Sequence, residues 1–239
     1  MIYKELLKKR PGLFILLDPD RIERGEIERI VGMINDSPTC AILVGTSLLL
    51  SPDFDDFVHR VKSYSKIPII IFPGGSNQVS KYADAIFFLS LLSGRNPQFL
   101  IGDQVRAAPL VKRYGLEPIP VGYILVGAGG VSSVEFMSAT QAIPQDKPDI
   151  ITAHALAGSY LGMRFIYLDA GSGSEEGVRE EIIERVKREI DIPLIIGGGI
   201  REVSQAESKI EAGADFIVIG NVLEGDYSKV REFSKVFES

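Results

Sequence analysis

Short apolar runs punctuate this chain, and most are separated by stretches with apolar residues at three- and four-residue intervals. The runs are Leu13–Leu17, Ala41–Val44, Ile69–Phe72, Ala85–Leu89, Pro120–Val126, Arg164–Leu168, Leu194–Ile196 and Phe216–Ile219. A parallel strand covered on both faces reads as such a continuous run, rich in branched and aromatic residues. The helical period is clearest in Glu175–Ile190 and Glu202–Ala212, and Gly213-Ala214-Asp215 stops the second before the last strand. Alternating strands and helices predict a parallel sheet, and eight repeats predict its closure into a (β/α)8 TIM barrel. No linker or low-complexity stretch divides residues 1–239, which read as a single domain.

One interval breaks the pattern. Between Phe72 and Ala85 lie only residues 73–84, beginning Pro73-Gly74-Gly75-Ser76-Asn77. A parallel crossover normally holds a helix and its turns, and Gln78–Tyr82 holds little more than one turn. The third helix is therefore expected to be missing or vestigial, opening a gap in the outer ring through which a long apolar ligand would reach the barrel mouth.

The most specific chemical signal is a pair of glycine turns that close the last two strands. Ile195-Ile196 runs into Gly197-Gly198-Gly199, and Ile217-Val218-Ile219 into Gly220-Asn221. Glycine lets backbone N–H groups approach an anion closely, and a helix starting just beyond adds its positive end. Two such turns on consecutive βα units predict a phosphate site.

Carboxylates at strand ends add possible chemistry. Leu17-Asp18-Pro19-Asp20 ends the first strand, and a desolvated charge there needs a partner. Mg²⁺ suits it, since that ion takes few protein carboxylates together with substrate phosphates. A helix N-cap is the competing role, which Asp20 fits better than Asp18. Val44-Gly45-Thr46-Ser47 ends the second strand and brings hydroxyls near Asp18 if the two strands are neighbours. Tyr167-Leu168-Asp169-Ala170-Gly171-Ser172-Gly173 ends the sixth, where Asp169 is placed to accept a proton from a substrate hydroxyl. His59 and His154 fall in helical patterns away from strand ends and read as surface or packed histidines. The loop Gly127-Ala128-Gly129-Gly130 carries no acid or base.

Charge and cysteine content narrow the class. A net charge of −6 with no basic cluster argues against nucleic acid. Cys40 is the one cysteine and there is no signal segment, so a reducing, cytoplasmic setting is expected.

Taken in order, Asp18-Pro19-Asp20, Val44-Gly45-Thr46-Ser47, Tyr123-Ile124-Leu125-Val126, Tyr167–Gly173, Gly197-Gly198-Gly199-Ile200-Arg201 and Gly220-Asn221 resemble the geranylgeranylglyceryl phosphate synthase family, which includes the bacterial PcrB proteins. The likeness runs from about residue 13 to residue 222, and Gly94-Arg95-Asn96-Pro97 with Pro120–Tyr123 resembles its second phylogenetic group. The resemblance implies a modified barrel with helix three replaced by an extended segment. It implies transfer of a prenyl group, with geranylgeranyl diphosphate the expected donor, to sn-glycerol 1-phosphate, giving 3-O-geranylgeranyl-sn-glyceryl 1-phosphate and diphosphate. Carried over residue by residue, Asp18 and Ser47 look like the Mg²⁺ site. Tyr167, Leu168, Asp169, Ala170, Gly171, Ser172, Gly173, Gly198, Gly199, Gly220 and Asn221 look like the glycerol phosphate site, with Asp169 the catalytic residue. The family usually has Glu where this chain has Asp169. Leu16 stands where PcrB-like members carry Lys, which argues against that branch and its longer donor. The resemblance further implies a homo-oligomer, dimer or hexamer, with transient contact with a membrane surface as product leaves.

Two other readings compete. A phosphosugar isomerase or cyclase on the same barrel needs an acid–base pair on opposed strands, and Val126-Gly127-Ala128-Gly129 supplies none. A non-catalytic phosphate-binding subunit would keep the glycine grip but have no use for Asp18 and Ser47.

Overall fold

The computed structural model describes residues 1–127 and 129–238. Its strands are β1 (Gly12–Leu17), β2 (Thr39–Val44), β3 (Ile69–Ile71), β4 (Ala85–Leu91), β5 (Glu117–Gly127), β6 (Ile143–Pro144), β7 (Phe165–Asp169), β8 (Leu194–Gly197) and β9 (Phe216–Ile219). They run in the order β4-β3-β2-β1-β9-β8-β7-β5, and β4 pairs with β5 to close a parallel barrel. Each of the eight apolar runs is one of its staves. The remaining strand, β6, pairs only with the end of β5, outside the barrel, and was too short to leave a periodic signal.

The barrel wall separates two apolar cores, because successive side chains on a strand face opposite ways. Leu13, Ile15 and Leu17 of β1 point outward into the helix layer, while Phe14 points inward. Inside, Phe14 stacks on Phe216 at 4.8 Å between ring centroids, and Phe87 and Phe165 pack edge-on around them. Above that layer Phe72, Tyr123 and Tyr167 form a second aromatic layer with centroids 5.2–5.9 Å apart. The short helix α1 (Ile2–Leu6) plugs the other end with buried Leu6, and the N–H groups of Ile2 and Tyr3 donate to the Glu117 carboxylate.

The outer layer comprises α2 (Ile27–Asn35), α3 (Phe54–Tyr64), α4 (Asp103–Tyr114), α5 (Ser133–Ser138), α6 (Pro148–Tyr160), α7 (Glu180–Glu189) and α8 (Val203–Glu211), followed by α9 (Val230–Ser234). No helix lies between β3 and β4, as the short interval predicts. The substitute segment is held by Gln78, which is 1% exposed: its Nε2 donates to the Thr46 carbonyl at 2.7 Å and its Oε1 accepts from the Thr46 N–H at 3.1 Å. A buried amide that satisfies both main-chain groups of a neighbouring loop replaces what a helix would have packed.

Three boundaries depart from expectation. β5 begins at Glu117 rather than Pro120, although Pro118 and Pro120 lack a donor. There it pairs in register with β4 alone, and its pairing with β7 starts at Val121, so the prolines cost no ladder bond on that side. α7 starts at Glu180, not Glu175; residues 175–179 form the loop where Gln145 accepts the Arg179 N–H and donates to the Gly177 carbonyl. β9 leads into a 3₁₀ turn (Asn221–Leu223) rather than a helix, so the second glycine turn offers N–H groups without a helix dipole.

Candidate active site

The ends of β1, β2, β5, β7, β8 and β9 surround a cavity of about 640 Å³. Asp18, Ser47, Tyr167, Asp169, Ser172, Gly198, Gly220 and Asn221 all line it. The structure thus brings together the two strand-end carboxylates and both glycine turns.

On one wall the loops after β7, β8 and β9 meet. Gly171, Gly173, Gly198 and Gly199 have φ of +93°, +79°, +76° and +67°, a region that side-chain-bearing residues avoid. Space enforces glycine too. A Cβ on Gly198 would lie 2.5 Å from Asp169 Oδ1, and one on Gly199 would lie 2.3 Å from the Glu176 carbonyl. Ser172 Oγ donates to Asn221 Oδ1 at 2.8 Å, which ties the first loop to the third. Arg201 braces the first loop from behind by donating to the Gly173 and Ser174 carbonyls. Among the described residues, the N–H groups of Ser172, Gly173, Gly198 and Gly199 have no hydrogen-bond partner. Converging, unpaired main-chain donors are what a phosphate requires. Leu168 and Ala170 are buried and serve this wall by packing, not by presenting a polar side chain.

Asp169 is 7% exposed at the foot of this wall. Its Oδ1 accepts the Gly171 N–H at 2.8 Å, and its Oδ2 accepts the Tyr123 hydroxyl. Burial raises its pKa above the ordinary carboxylate value, and those two hydrogen bonds oppose the rise by favouring the charged form. Tyr123 and Tyr167 titrate well above a normal phenol, through burial first and the Asp169 charge second, so both are neutral donors. The Tyr167 hydroxyl makes no hydrogen bond among the described residues and sits where a Cβ on Gly197 would be, 2.1 Å away. Tyr123 had no assigned role from the sequence. The available signal was its inward position on β5, a polar-tipped ring in a row otherwise made of Ile119, Val121 and Leu125.

The adjoining wall, at the ends of β1 and β2, carries Asp18. β1 and β2 are neighbours, with Leu17 in register with Val44, so the Thr46-Ser47 hydroxyls do reach this side. Asp18 Oδ1 accepts the Asp20 N–H at 2.8 Å. Its pKa is raised by burial, while the Asp20 N–H and the Thr46 hydroxyl pull it down. Asp20 is no helix cap: its two carboxylate oxygens accept the N–H groups of Leu50 and Ser51 at 2.8 and 2.7 Å and pin the β2 loop. Glu224 and Tyr227, from the segment after β9, join the two walls, with Glu224 Oε1 accepting from Asn221 Nδ2 at 3.0 Å; neither was singled out from the sequence. Glu224 is raised by burial and then by the Asp18 charge, and Tyr227 is pushed up to about 12 by burial beside the same two carboxylates.

From between these walls the cavity continues toward the helix-free interval, where Val79, Ile86, Phe88, Leu89, Phe99 and Ala107 line it. His59 lies on α3 and His154 on α6, and neither lines the cavity. Of the loop after β5, Ala128 lies outside the described residues.

A family model described as the PcrB family matches residues 4–237. The chain belongs to that family. The geranylgeranylglyceryl phosphate synthase of Thermococcus kodakarensis is 46% identical to this PcrB-family chain, over 95% of it and 91% of the relative. The enzyme of the same name from Chitinophaga pinensis is 41% identical, over 92% and 87%. A crystal structure of (S)-3-O-geranylgeranylglyceryl phosphate synthase from Thermoplasma acidophilum, in complex with its substrate sn-glycerol-1-phosphate, superposes with a TM-score of 0.91. It is 33% identical, and the match covers 99% of this chain and 96% of that one.

Proposed function

We propose that this PcrB-family protein is a prenyltransferase that joins sn-glycerol 1-phosphate to geranylgeranyl diphosphate, forming the first ether bond of an ether lipid and releasing diphosphate. The observation that carries the reading is a single cavity that sets a buried, doubly hydrogen-bonded carboxylate beside unpaired glycine N–H groups and opens into an apolar groove. The relatives of the same family and the Thermoplasma complex support it.

On this reading the N–H groups of Ser172, Gly173, Gly198 and Gly199 bind the glycerol phosphate. Asp169, aimed by Tyr123 and Gly171, accepts the proton of the attacking hydroxyl, and neutral Tyr167 donates within the same wall. The prenyl tail lies along the groove left by the absent helix. At about 0.8 kcal/mol per buried CH₂, that contact contributes a large part of donor affinity. Holding both substrates in register lowers the barrier further.

Asp18 fits a divalent ion bound in company with substrate. One of its oxygens accepts the Asp20 N–H, and the Thr46 and Ser47 hydroxyls lie on the same side of the cavity. Mg²⁺ is often held by one or two carboxylates together with substrate phosphates, and diphosphate oxygens would complete its shell here. When bound, that ion supplies charge to the leaving diphosphate.

Self-association as a dimer or hexamer belongs to the same reading, supported by exposed Ile150, Tyr160 and Leu161 on and just after α6. Transient contact with a membrane surface belongs to the same reading; no helix among the described residues is long and apolar enough to cross one.

The deciding experiment incubates the protein with sn-glycerol 1-phosphate, Mg²⁺ and prenyl diphosphates from C10 to C35. Ether product with the C20 donor is expected, and its absence with every donor overturns the reading.

Asp169 must be ionised to act, so kcat should fall on the acid side with an apparent pKa above the usual carboxylate range. Tyr123→Phe removes a donor that favours the charged form, so the acid limb should move to higher pH while the plateau changes by about tenfold or less. Superimposable kcat–pH profiles for the two proteins would remove Tyr123 from the mechanism.

A further inference from the structure

The cavity is strongly acidic for one meant to hold two phosphorylated molecules. Asp18, Asp20, Asp103, Asp169 and Glu224 line it, and Arg21 is the single cation among its described lining residues. The Arg21 N–H closes a turn on the Asp18 carbonyl at 3.1 Å, so its side chain springs from the turn that carries Asp18. The guanidinium has no ion pair within 4.0 Å and no hydrogen bond among the described residues. Arg201, at the glycine wall, is by contrast engaged with the Gly173 and Ser174 carbonyls. Arg21 nevertheless lies close enough to Asp18 and Glu224 for its charge to favour the ionised form of both.

The two anions of the reaction differ in what they need. The monophosphate of the acceptor meets neutral N–H donors on the β7–β9 wall. A diphosphate carries more charge, gains still more as its C–O bond breaks, and would face Asp18 at the end of β1 and Glu224 from the segment after β9. A planar guanidinium offers two parallel N–H donors to adjacent phosphate oxygens, in a geometry that an ammonium cannot supply.

We infer that Arg21 binds the diphosphate of the prenyl donor, contacting it directly beside Asp18 and stabilising the charge that grows on it as it leaves. This rests on the prenyltransferase reading and adds to it the residue that distinguishes donor from acceptor phosphate.

The test measures inorganic pyrophosphate binding by calorimetry at fixed Mg²⁺, together with steady-state kinetics, for wild type, Arg21→Gln and Arg21→Lys. Arg21→Gln should weaken pyrophosphate binding about 10- to 100-fold, raise the donor KM and lower kcat, as expected for loss of a charge-assisted pair. Its KM for sn-glycerol 1-phosphate and its melting temperature should be unchanged. Arg21→Lys should recover part of the pyrophosphate affinity. An active wild type whose Arg21→Gln variant binds pyrophosphate equally well overturns the inference alone. So does a variant in which donor and acceptor KM rise together as the melting temperature falls, since that marks a structural role. A wild type that neither binds pyrophosphate nor transfers a prenyl group overturns the underlying reading instead.

Discussion

Asp169→Asn is expected to lower kcat by about 10²–10⁴ while leaving the fold in place, the cost typical of losing a positioned general base. The substitution preserves shape. The amide oxygen can still accept the Gly171 N–H, and Tyr123 can turn its hydroxyl to accept from the new NH₂ group. Stability should move in the opposite direction from activity. Burial raises the Asp169 pKa in the folded state, so the stabilisation from its protonated form is complete below the unfolded value of about 3.9 and is lost as pH rises through the folded one. Above that point the wild type holds an ionised carboxylate against its desolvation cost, and a neutral Asn does not. The variant should therefore melt no lower than wild type near neutral pH, with its advantage shrinking as pH falls. Glycerol phosphate binding should weaken only moderately, because the main-chain donors remain. Asp169→Glu, which restores the residue expected from the family resemblance, should retain turnover. An Asn variant with wild-type kcat would move the base role elsewhere, with Tyr167 the next group in reach.

The parts of this site that were legible in the sequence are those where one residue type has no substitute. Gly198 and Gly199 were legible because a positive φ and a crowded Cβ both exclude other residues. The barrel strands were legible because each is buried on two faces, which forces a continuous apolar run. Asp18 and Asp169 were legible because a carboxylate directly after such a run needs a reason to be there.

What stayed hidden depends on contacts between distant positions. The Tyr123–Asp169 hydrogen bond joins residues 46 apart, and it forms because β5 pairs with β7 while β6 stands aside. Arg21, Glu224 and Tyr227 sit in loops whose polar composition is that of any surface, and only the closure of β1 against β9 turns them toward one cavity. Asp20 suits a cap by sequence alone, because the sequence does not reveal that the N–H groups of Leu50 and Ser51 arrive over it. Residues 175–179 have spacing that suits a helix, although Gln145, from the β6 region, holds that segment as a loop.

Asp18→Asn separates a metal role from a structural one, and its expected effect on turnover is about 10²-fold or more. The amide keeps the acceptor for the Asp20 N–H, so the turn at the end of β1 should survive. What it removes is a negative charge that burial and, more weakly, the Asp20 carboxylate disfavour, while the Asp20 N–H, the Thr46 hydroxyl and Arg21 favour it. The melting temperature at neutral pH should thus be unchanged or slightly higher. If the charge serves to hold Mg²⁺ with the diphosphate, the variant should also need a higher Mg²⁺ concentration for half-maximal rate. Its acceptor KM should stay near wild type, because the main-chain donors of the loops after β7 and β8 are untouched. If Asp18 serves only to organise its turn, turnover and the Mg²⁺ midpoint should match wild type in Asp18→Asn. In that case Asp18→Ala alone should lose stability, by about 1 kcal/mol, as when a capping side chain is removed. The magnesium titration is the sharper measurement, since a turn-organising carboxylate has no reason to shift it.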